Sequence, residues 1–262
     1  MPLLKSVYFQ KKEDDIFPYH LPIFEQHLDV NHDVTIFVGE NGSGKTTLLE
    51  IIQSALGLYR IGQPLIKMPH VKTKMTYHLH KPLGLYFSAE DFTTYIYELE
   101  KEKAYAKQQI KEAKHQYRQK STFAQMQAQG PYRKTIAEID QLYDRNLLKS
   151  SHGESYLSFF KSRLKPNTLI LLDEPETPLS FQNQLTLLYM IHEATKLGCQ
   201  FVIATHSPLM MAYPHAHIYE IDQEGIHETS YEMINHVQSM KDFLNHPDRY
   251  FRHLFKEEKH DQ

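Results

Sequence analysis

The stretch "VTIFVGENGSGKTTLLE", residues 34–50, decides the fold of this chain. Its first five residues are mostly apolar and predict a buried strand, and an amphipathic helix is predicted from about Lys45. Between strand and helix, "GENGSGKTT" (residues 39–47) matches the pattern G-x-x-x-x-G-K-[ST]. Glycines at 39, 42 and 44 permit positive φ angles that turn successive N–H groups inward. The sequence therefore predicts an anion cradle at a helix N-terminus.

Three further apolar runs predict strands at residues 168–172, 200–204 and 217–221. A helix is predicted between the first two, with Gly198 as the glycine that follows its C-terminus. Alternation of strand and helix, with strands that are apolar throughout, predicts an α/β fold with a mostly parallel sheet flanked by helices.

The segment 91–150 has a different composition, rich in Lys, Gln, Glu and Ala. Residues at spacings of four and three form a heptad seam with one charged interruption: Phe92, Ile96, Leu99, Lys103, Ala106, Ile110, Ala113 and Tyr117. After a predicted break at residues 128–132, a shorter stripe follows at Ile136, Ile139 and Tyr143. We expect a helical hairpin inserted in the domain, either packed on its body or projecting as an arm.

The overall composition fits one domain, residues 1–262, carrying that insertion. The formal net charge of −3 gives no global reason to expect a polyanionic partner. A single cysteine, Cys199, excludes an intramolecular disulfide and fits a reducing compartment. No apolar run reaches eighteen residues, so we expect a cytoplasmic protein without membrane insertion.

Two motifs supply the expected chemistry. In the glycine loop, Lys45 is expected to reach the β and γ phosphates of a nucleotide, and the Thr46 hydroxyl to bind Mg²⁺. At the end of the strand in "LILLDEPE", Asp173 is a second magnesium ligand and Glu174 the general base that polarises water. The remaining loop residues expected to contact the nucleotide are Gly39, Asn41, Gly42, Ser43, Gly44 and Thr47.

A third motif, "FVIATHSP", ends another apolar strand at residues 205–207. A lone histidine is usually structural, but His206 stands at the carboxyl end of a strand, where ligands bind in such sheets. We therefore expect it to contact the γ phosphate. By contrast, the cluster "SHGES" (151–155) is not expected to be a hydrolytic triad, because triad members must meet across separate elements.

Together, "GENGSGKTT", "SHGES", "LILLDEPE" and "ATHSP" resemble the ABC-type P-loop ATPases. The likeness is to stand-alone bacterial predicted ATPases of the AAA family group, related to the SMC, RecF and OLD branch. It implies an ABC ATPase head with an antiparallel β part near the N-terminus and the helical insertion. It also implies an ATP-dependent, head-to-tail homodimer in which each nucleotide is capped by the signature turn of the other chain.

In that resemblance, Ser151 and Gly153 match the signature turn, whereas His152 and Glu154 depart from it. Ser151, Gly153 and Glu154 are therefore expected to act on the neighbour's nucleotide. In "TPLS", Ser180 replaces the usual aspartate of the next loop. Three assignments complete the expected site: Ser88 or Glu90 at the glutamine-loop position, Glu90 as a further metal ligand, and Tyr19 stacking on adenine.

The expected function is Mg²⁺-dependent ATP hydrolysis by a dimer in a DNA-related (repair, maintenance or defence) or regulatory complex, with DNA or a protein as partner. The insertion is mildly basic, with eleven Lys and Arg against eight Asp and Glu, which a solvated helix face explains equally well. Two alternatives stay open: a nucleotide-binding subunit of a membrane transporter, and a nucleotide switch with negligible turnover.

Overall fold

The computed structural model describes residues 1–12, 16–61, 69–142 and 152–255 of the chain. Its strands are β1 Leu4–Phe9, β2 His27–Asp29, β3 Val34–Gly39, β4 Tyr59–Arg60, β5 Thr73–Tyr77, β6 Gly84–Ser88, β7 Leu169–Asp173, β8 Gln200–Ala204, β9 His217–Ile221 and β10 Ile226–Thr229. Its helices are α1 Lys45–Leu56, α2 Ala89–Gln116, α3 Thr122–Leu142, α4 His152–Arg163, α5 Phe181–Lys196, α6 Pro208–Met211, α7 Asn235–Asn245 and α8 Pro247–Leu254. In the described part of the chain, no helix combines the length and the apolar character needed to cross a membrane.

The main sheet has the strand order β10-β9-β3-β8-β7-β6-β4. Its pairings are parallel except for β10 with β9, which is antiparallel. The central strands β7 and β8 are buried along their whole length, which explains their continuous apolar sequence. The predicted α/β fold with a mostly parallel sheet is confirmed. The strand predicted at 168–172 is shifted by one residue, which makes Asp173 its last member.

A second, antiparallel sheet, β2-β1-β5, confirms the antiparallel part expected near the N-terminus. Buried Gln200, at the start of β8, joins it to the main sheet. Its Oε1 accepts hydrogen bonds from the backbone N–H groups of Leu3 and Leu4, each at 2.8 Å. Its Nε2 donates to the carbonyls of Leu4 at 2.9 Å and Val30 at 2.6 Å. The side-chain amide thus replaces strand pairing where the two sheets meet.

Two helices flank the sheet next to the site, and both follow the sequence signals. One face of α1 is buried with the antiparallel sheet, through residues such as Leu48 and Ile52. In α5, the Ser180 hydroxyl accepts a hydrogen bond from the N–H of Asn183 at 3.4 Å and caps the N-terminus. Gly198, with φ of 79°, follows the last helical turn, as predicted.

The hairpin consists of α2, whose 28 residues extend about 42 Å, and α3. Near the sheet, Phe92, Leu99 and Ile139 belong to the main hydrophobic core. The charged interruption of the seam has a partner, because the Lys103 ammonium pairs with Asp140 of α3. The core ends near this pair, so the distal part of the hairpin extends beyond it as two helices packed on each other.

The predicted break at residues 128–132 is wrong. Helix α3 runs through Pro131 without interruption, and the chain reverses earlier, at residues 117–121. Pro131 removes one backbone donor but leaves the helix intact, whereas the Ser121 hydroxyl accepts from the N–H of Ala124 at 3.3 Å and caps the start of α3. The capping serine marks the turn better than the proline does. Tyr143 lies outside the described residues.

Candidate nucleotide-binding site

The glycine loop joins β3, which ends at Gly39, to α1, which begins at Lys45. Gly39, Gly42 and Gly44 have φ angles of 150°, 81° and 104°, in the region that favours glycine. At Gly39 a side chain would also collide with the carbonyl of Ile221 in β9. The loop therefore closes over the N-terminus of α1, whose unpaired N–H groups form a site for an anion.

The Lys45 ammonium is folded over this loop. It donates to the carbonyls of Gly39 at 2.9 Å and Glu40 at 2.8 Å. Burial lowers the pKa of Lys45, against the opposing effect of the carboxylates of Glu174 and Asp173. The Lys45 ammonium is thus held against the backbone of the glycine loop by two hydrogen bonds.

Thr46 and Asp173 meet where α1 begins and β7 ends. The Thr46 hydroxyl donates to Asp173 Oδ1 at 3.0 Å. This pair of oxygen donors beside a phosphate loop fits Mg²⁺, which prefers one or two protein oxygens together with phosphate oxygens. Burial raises the pKa of Asp173 to about 6, although hydrogen bonds from Tyr86 and Thr46 oppose the rise. The carboxylate is therefore costly to ionise without a cation.

Tyr86, in β6, is a site residue that sequence reasoning missed. Its hydroxyl donates to the second oxygen of Asp173, Oδ2, at 3.0 Å. The available signal was a tyrosine inside the apolar strand "GLYFS", since a buried tyrosine hydroxyl usually finds a hydrogen-bond partner. Both oxygens of the carboxylate are thus fixed by protein hydroxyls.

Glu174 and His206 lie next to each other in the wall of a pocket of about 270 Å³, which Lys45 and Thr46 also line. The distance from His206 Nε2 to Glu174 Oε1 is 3.6 Å. Burial and the nearby Lys45 lower the pKa of His206, while Glu174 opposes this, so the imidazole is neutral at pH 7. Glu174 has a φ of 45°, which turns it away from the strand direction, and its side chain is 44% exposed. A solvent-accessible carboxylate beside a neutral imidazole can accept a proton from water.

Glu176 was also missed. Its Oε1 accepts hydrogen bonds from the Thr205 hydroxyl at 2.7 Å and from the N–H groups of His206 at 2.7 Å and Ser207 at 3.0 Å. Burial raises the pKa of Glu176, which these hydrogen bonds oppose. Glu176 therefore fixes the backbone that carries His206. The third acid of "DEPE" was its only sequence signal.

The structure does not support stacking of Tyr19 on adenine. Tyr19 is 4% exposed, and its ring centroid lies 5.2 Å from that of Phe24. Both rings belong to a second hydrophobic core, which α1 shares with the antiparallel sheet. Phe17 and His20, two residues before it and one after, line the pocket instead. Phe17 is 40% exposed, so its ring is available to a base. Tyr19 is therefore buried away from the pocket, and Phe17 is the exposed aromatic of the same segment that lines it.

Of the signature-turn residues, Gly153 and Glu154 lie apart from this pocket. Ser151 falls outside the described residues. Gly153 lies in the first turn of α4, where an added Cβ would be 3.2 Å from the Pro178 carbonyl and would press on the Asn183 amide. Glu154 is exposed in the same turn. Gly153 is thus required for close packing between α4 and the loop before α5.

The two residues proposed at the glutamine-loop position have different surroundings. Ser88 ends β6 in register with Asp173, and its hydroxyl accepts from the N–H of Glu90 at 3.2 Å, which caps α2. Glu90 is exposed in the first turn of α2. Neither lines the pocket that contains Thr46, so the structure does not bring Glu90 to the predicted metal ligands.

Sequence relatives share parts of this chain. A Pyrococcus furiosus protein, provisionally named an ABC transporter ATP-binding protein, is 27% identical over 180 residues, 68% of this chain and 65% of that protein. An uncharacterized ABC transporter ATP-binding protein of Haemophilus influenzae is 31% identical over 88 residues, 33% of this chain and 34% of that protein. The chain therefore matches less than two thirds of the length of either relative.

Solved structures are similar at low identity. An ATP-binding cassette of an ABC transporter, in its ADP conformation, has 15% identity and a TM-score of 0.47, covering 98% of this chain and 100% of that one. The Smc head domain of Pyrococcus furiosus has 14% identity and a TM-score of 0.45, covering 94% and 99%. The AAA domain family matches residues 20–188, a range that includes both the glycine loop and Asp173. Because that match covers more than half of the sequence, the chain belongs to the AAA domain family.

Proposed function

We propose that this protein binds Mg²⁺-ATP and hydrolyses it to ADP and phosphate. The observation that carries the proposal is that one pocket is lined by a lysine of the glycine loop, a hydroxyl, a carboxylate and an imidazole: Lys45, Thr46, Glu174 and His206. Each of these groups has a distinct role in phosphoryl transfer, and the buried Asp173 adjoins Thr46.

In the proposed mechanism, the Lys45 ammonium leaves the carbonyls of Gly39 and Glu40 and contacts the β and γ phosphates. Thr46 and Asp173 would hold Mg²⁺, which would supply charge neutralisation at the phosphate oxygens. Glu174 accepts a proton from the attacking water. His206 donates a hydrogen bond to the γ phosphate, and Glu176 keeps it in position.

The proposed active form is an ATP-dependent, head-to-tail homodimer. The own-chain pocket is not lined by Gly153 or Glu154, and the resemblance to ABC-type ATPases assigns the signature turn to the nucleotide of a second copy. The N-terminal end of α4 provides N–H groups and a favourable dipole for that contact. The proposal includes a cytoplasmic location.

Steady-state ATP hydrolysis and size-exclusion chromatography test this proposal. Glu174→Gln is expected to lower the turnover rate at least about 100-fold and to shift the protein to dimer size in Mg²⁺-ATP, because the base is lost while binding remains. The matched control is Glu193→Gln, which changes an exposed acid paired with Lys196 at 2.7 Å. It should behave like the parent. Parental turnover in Glu174→Gln would remove Glu174 from the role of base.

We also propose that the ATPase acts on DNA, and the charge distribution of the hairpin supports this. Its distal part, residues 105–134, contains seven Lys and Arg and a single carboxylate, Glu112. Its proximal part, residues 89–104 and 135–142, contains seven carboxylates and two lysines. The charge counted over the whole insertion does not reveal this separation between its two ends. A solvated helix face would mix the two signs along the arm.

The distal cations also form a stripe. Lys107, Lys111 and Lys114 are exposed and lie on one face of α2, and Arg118 follows in the turn. Among the ion pairs of the described residues, the distal cations contribute one, Lys134 with Glu138 at 3.7 Å. A lengthwise row of unpaired cations suits a linear polyanion such as the DNA backbone.

Filter binding of duplex DNA at two salt concentrations, with and without ATP, tests this role. The double variant Lys111→Glu/Lys114→Glu should weaken retention about tenfold or more at low salt and flatten the salt dependence. The control Lys101→Glu alters an exposed lysine of the proximal part of the same helix. Equal retention of parent and double variant, or retention that salt does not affect, would exclude the stripe as a DNA contact.

A second candidate function is a nucleotide-binding subunit of a membrane transporter. It is favoured by the names of the two sequence relatives, both of which describe ABC transporter ATP-binding proteins. Co-purification from membranes distinguishes the candidates, since a transporter subunit should sediment with an integral membrane protein. A nucleotide switch, the third alternative, predicts ATP binding with turnover no higher in the parent than in Glu174→Gln.

A further inference from the structure

An ion-pair cluster lies beneath the metal-ligand carboxylate. Arg60, in β4, donates from Nε and Nη2 to the two oxygens of Asp91, at 2.8 and 3.1 Å. Its Nη1 donates to Glu50 Oε1 of α1 at 2.6 Å. The three side chains are 11%, 7% and 14% exposed. A guanidinium fixed by three hydrogen bonds in a nearly buried setting is held in one orientation.

The cluster contacts Tyr86 directly. The Arg60 guanidinium carbon lies 4.7 Å from the centroid of the Tyr86 ring, in a cation–π contact. The same ring carries the hydroxyl that donates to Asp173 Oδ2. A continuous set of contacts therefore leads from Asp91, in the first turn of α2, to Asp173 at the end of β7.

We propose that Tyr86 is a positioning residue for Asp173, held by the Arg60 cluster, and that this cluster ties the base of the helical hairpin to the metal-binding carboxylate. The inference rests on the proposed function, because it takes Asp173 as a magnesium ligand.

The carboxylate is oriented from both sides. Thr46 donates to one oxygen and Tyr86 to the other, so rotation of the group would break two hydrogen bonds. If Mg²⁺ displaces the Thr46 contact, the Tyr86 hydroxyl is the donor that continues to hold the carboxylate. Partners of this kind orient metal ligands and affect metal affinity strongly.

The connection to the hairpin follows from where Asp91 lies. Helix α2 begins at Ala89, so Asp91 moves with the base of the arm, whereas Arg60 and Tyr86 belong to the sheet. A shift of α2 relative to the sheet would stretch the paired hydrogen bonds between Arg60 and Asp91. The Arg60 guanidinium would then change its orientation over the Tyr86 ring, and the cation–π contact would no longer hold that ring in place. A load on the hairpin can therefore reach the metal site through these contacts.

The Tyr86→Phe variant tests the first part, because it keeps the ring and removes the hydroxyl. The matched control is Tyr156→Phe, since Tyr156 is fully buried in the main core and its hydroxyl has no hydrogen-bond partner among the described residues. A fluorescent ATP analogue is titrated into each protein in EDTA, and Mg²⁺ is then titrated into the complexes. In Tyr86→Phe the Mg²⁺ concentration at half-saturation should rise about tenfold, with affinity in EDTA changed less than about twofold.

The second part is tested with Asp91→Asn, which should raise the Mg²⁺ midpoint in the same direction while its affinity in EDTA stays unchanged. Arg60→Lys keeps a positive charge but removes the guanidinium that makes paired hydrogen bonds to Asp91. It replaces Asp91→Asn in this test if that variant does not fold. An unchanged Mg²⁺ midpoint in a folded variant at either position would overturn the link to the hairpin. A Tyr86→Phe protein indistinguishable from Tyr156→Phe would overturn the role of Tyr86. Absence of Mg²⁺-dependent binding in the parent would instead reject the proposed function.

Discussion

Replacement of Asp173 by asparagine should stabilise the metal-free protein while it removes magnesium binding. Asp173 is 5% exposed, and burial raises its pKa from 3.8 to about 6. At 1.36 kcal/mol per pKa unit, ionisation of this carboxyl costs the folded state about 3 kcal/mol at neutral pH. Asparagine has nearly the same shape and no charge. One of the two hydroxyls, that of Thr46 or Tyr86, can rotate to accept from its NH2 group, while the other still donates to its oxygen.

The sign of the pH dependence follows from the direction of the shift. A carboxyl whose pKa is higher in the folded than in the unfolded state loses stability as the pH rises from about 4 to above 6. Asp173→Asn lacks this loss. Its advantage in unfolding free energy over the parent should therefore be about 3 kcal/mol at pH 8 and about 1.5 kcal/mol at pH 5.

Urea unfolding in EDTA at pH 5, 6, 7 and 8 measures this difference, and thermal unfolding should give a midpoint about 6–10 °C higher for the variant at pH 8. Saturating Mg²⁺-ATP should stabilise the parent and not the variant, because the cation removes the cost of the buried charge. Two results would refute the idea that ionised Asp173 destabilises the folded protein. One is a variant less stable than the parent at pH 8, and the other is a difference in unfolding free energy that does not decrease at lower pH.

Three further changes test separate parts of the structure. Phe17→Ala should weaken ATP binding roughly tenfold, since base stacking is worth about 1–3 kcal/mol, while Tyr19→Phe should change the affinity less than about twofold in a fluorescence titration. Glu176→Ala should lower kcat about 10–100-fold in an ATPase assay because His206 loses its backbone anchor, and ATP affinity in EDTA should stay within about twofold. Gln200→Leu leaves buried amides and carbonyls unpaired and should cost about 3 kcal/mol or more in urea unfolding; a loss below about 1 kcal/mol would contradict the role of Gln200 in joining the sheets.

The sequence predicted those parts of the fold that depend on local patterns. The glycine loop before Lys45 and the apolar runs that became β7, β8 and β9 each have a short-range signature, and the order of these elements implies a parallel sheet. Asp173 and His206 were predicted as site residues because each follows an apolar strand, and ligands bind at the carboxyl ends of such strands. The turn of the hairpin was misplaced because proline was weighted above the capping serine at position 121.

What the sequence did not predict depends on contacts between distant segments. Tyr86 meets Asp173 across 87 positions, and Glu176 meets His206 across 30, so no local pattern reveals either pair. The choice between Phe17 and Tyr19 depended on which ring the second core buries. The separation of charge along the hairpin became visible only when the antiparallel pairing of α2 and α3 defined a distal end.

The hydrogen bonds between Gln200 and strand β1 have a consequence for the order of events during synthesis. Strand β1 leaves the ribosome before β8, and the side chain that hydrogen-bonds the backbone of Leu4 is made 196 positions later. At about 5–20 residues per second, the N-terminal segment waits roughly 10–40 s for that partner. During this interval the backbone groups of Leu3 and Leu4 lack their native acceptor and donor. The nascent chain therefore carries an open strand end until β8 is complete, and this is the period in which a chaperone would protect it from pairing with other chains.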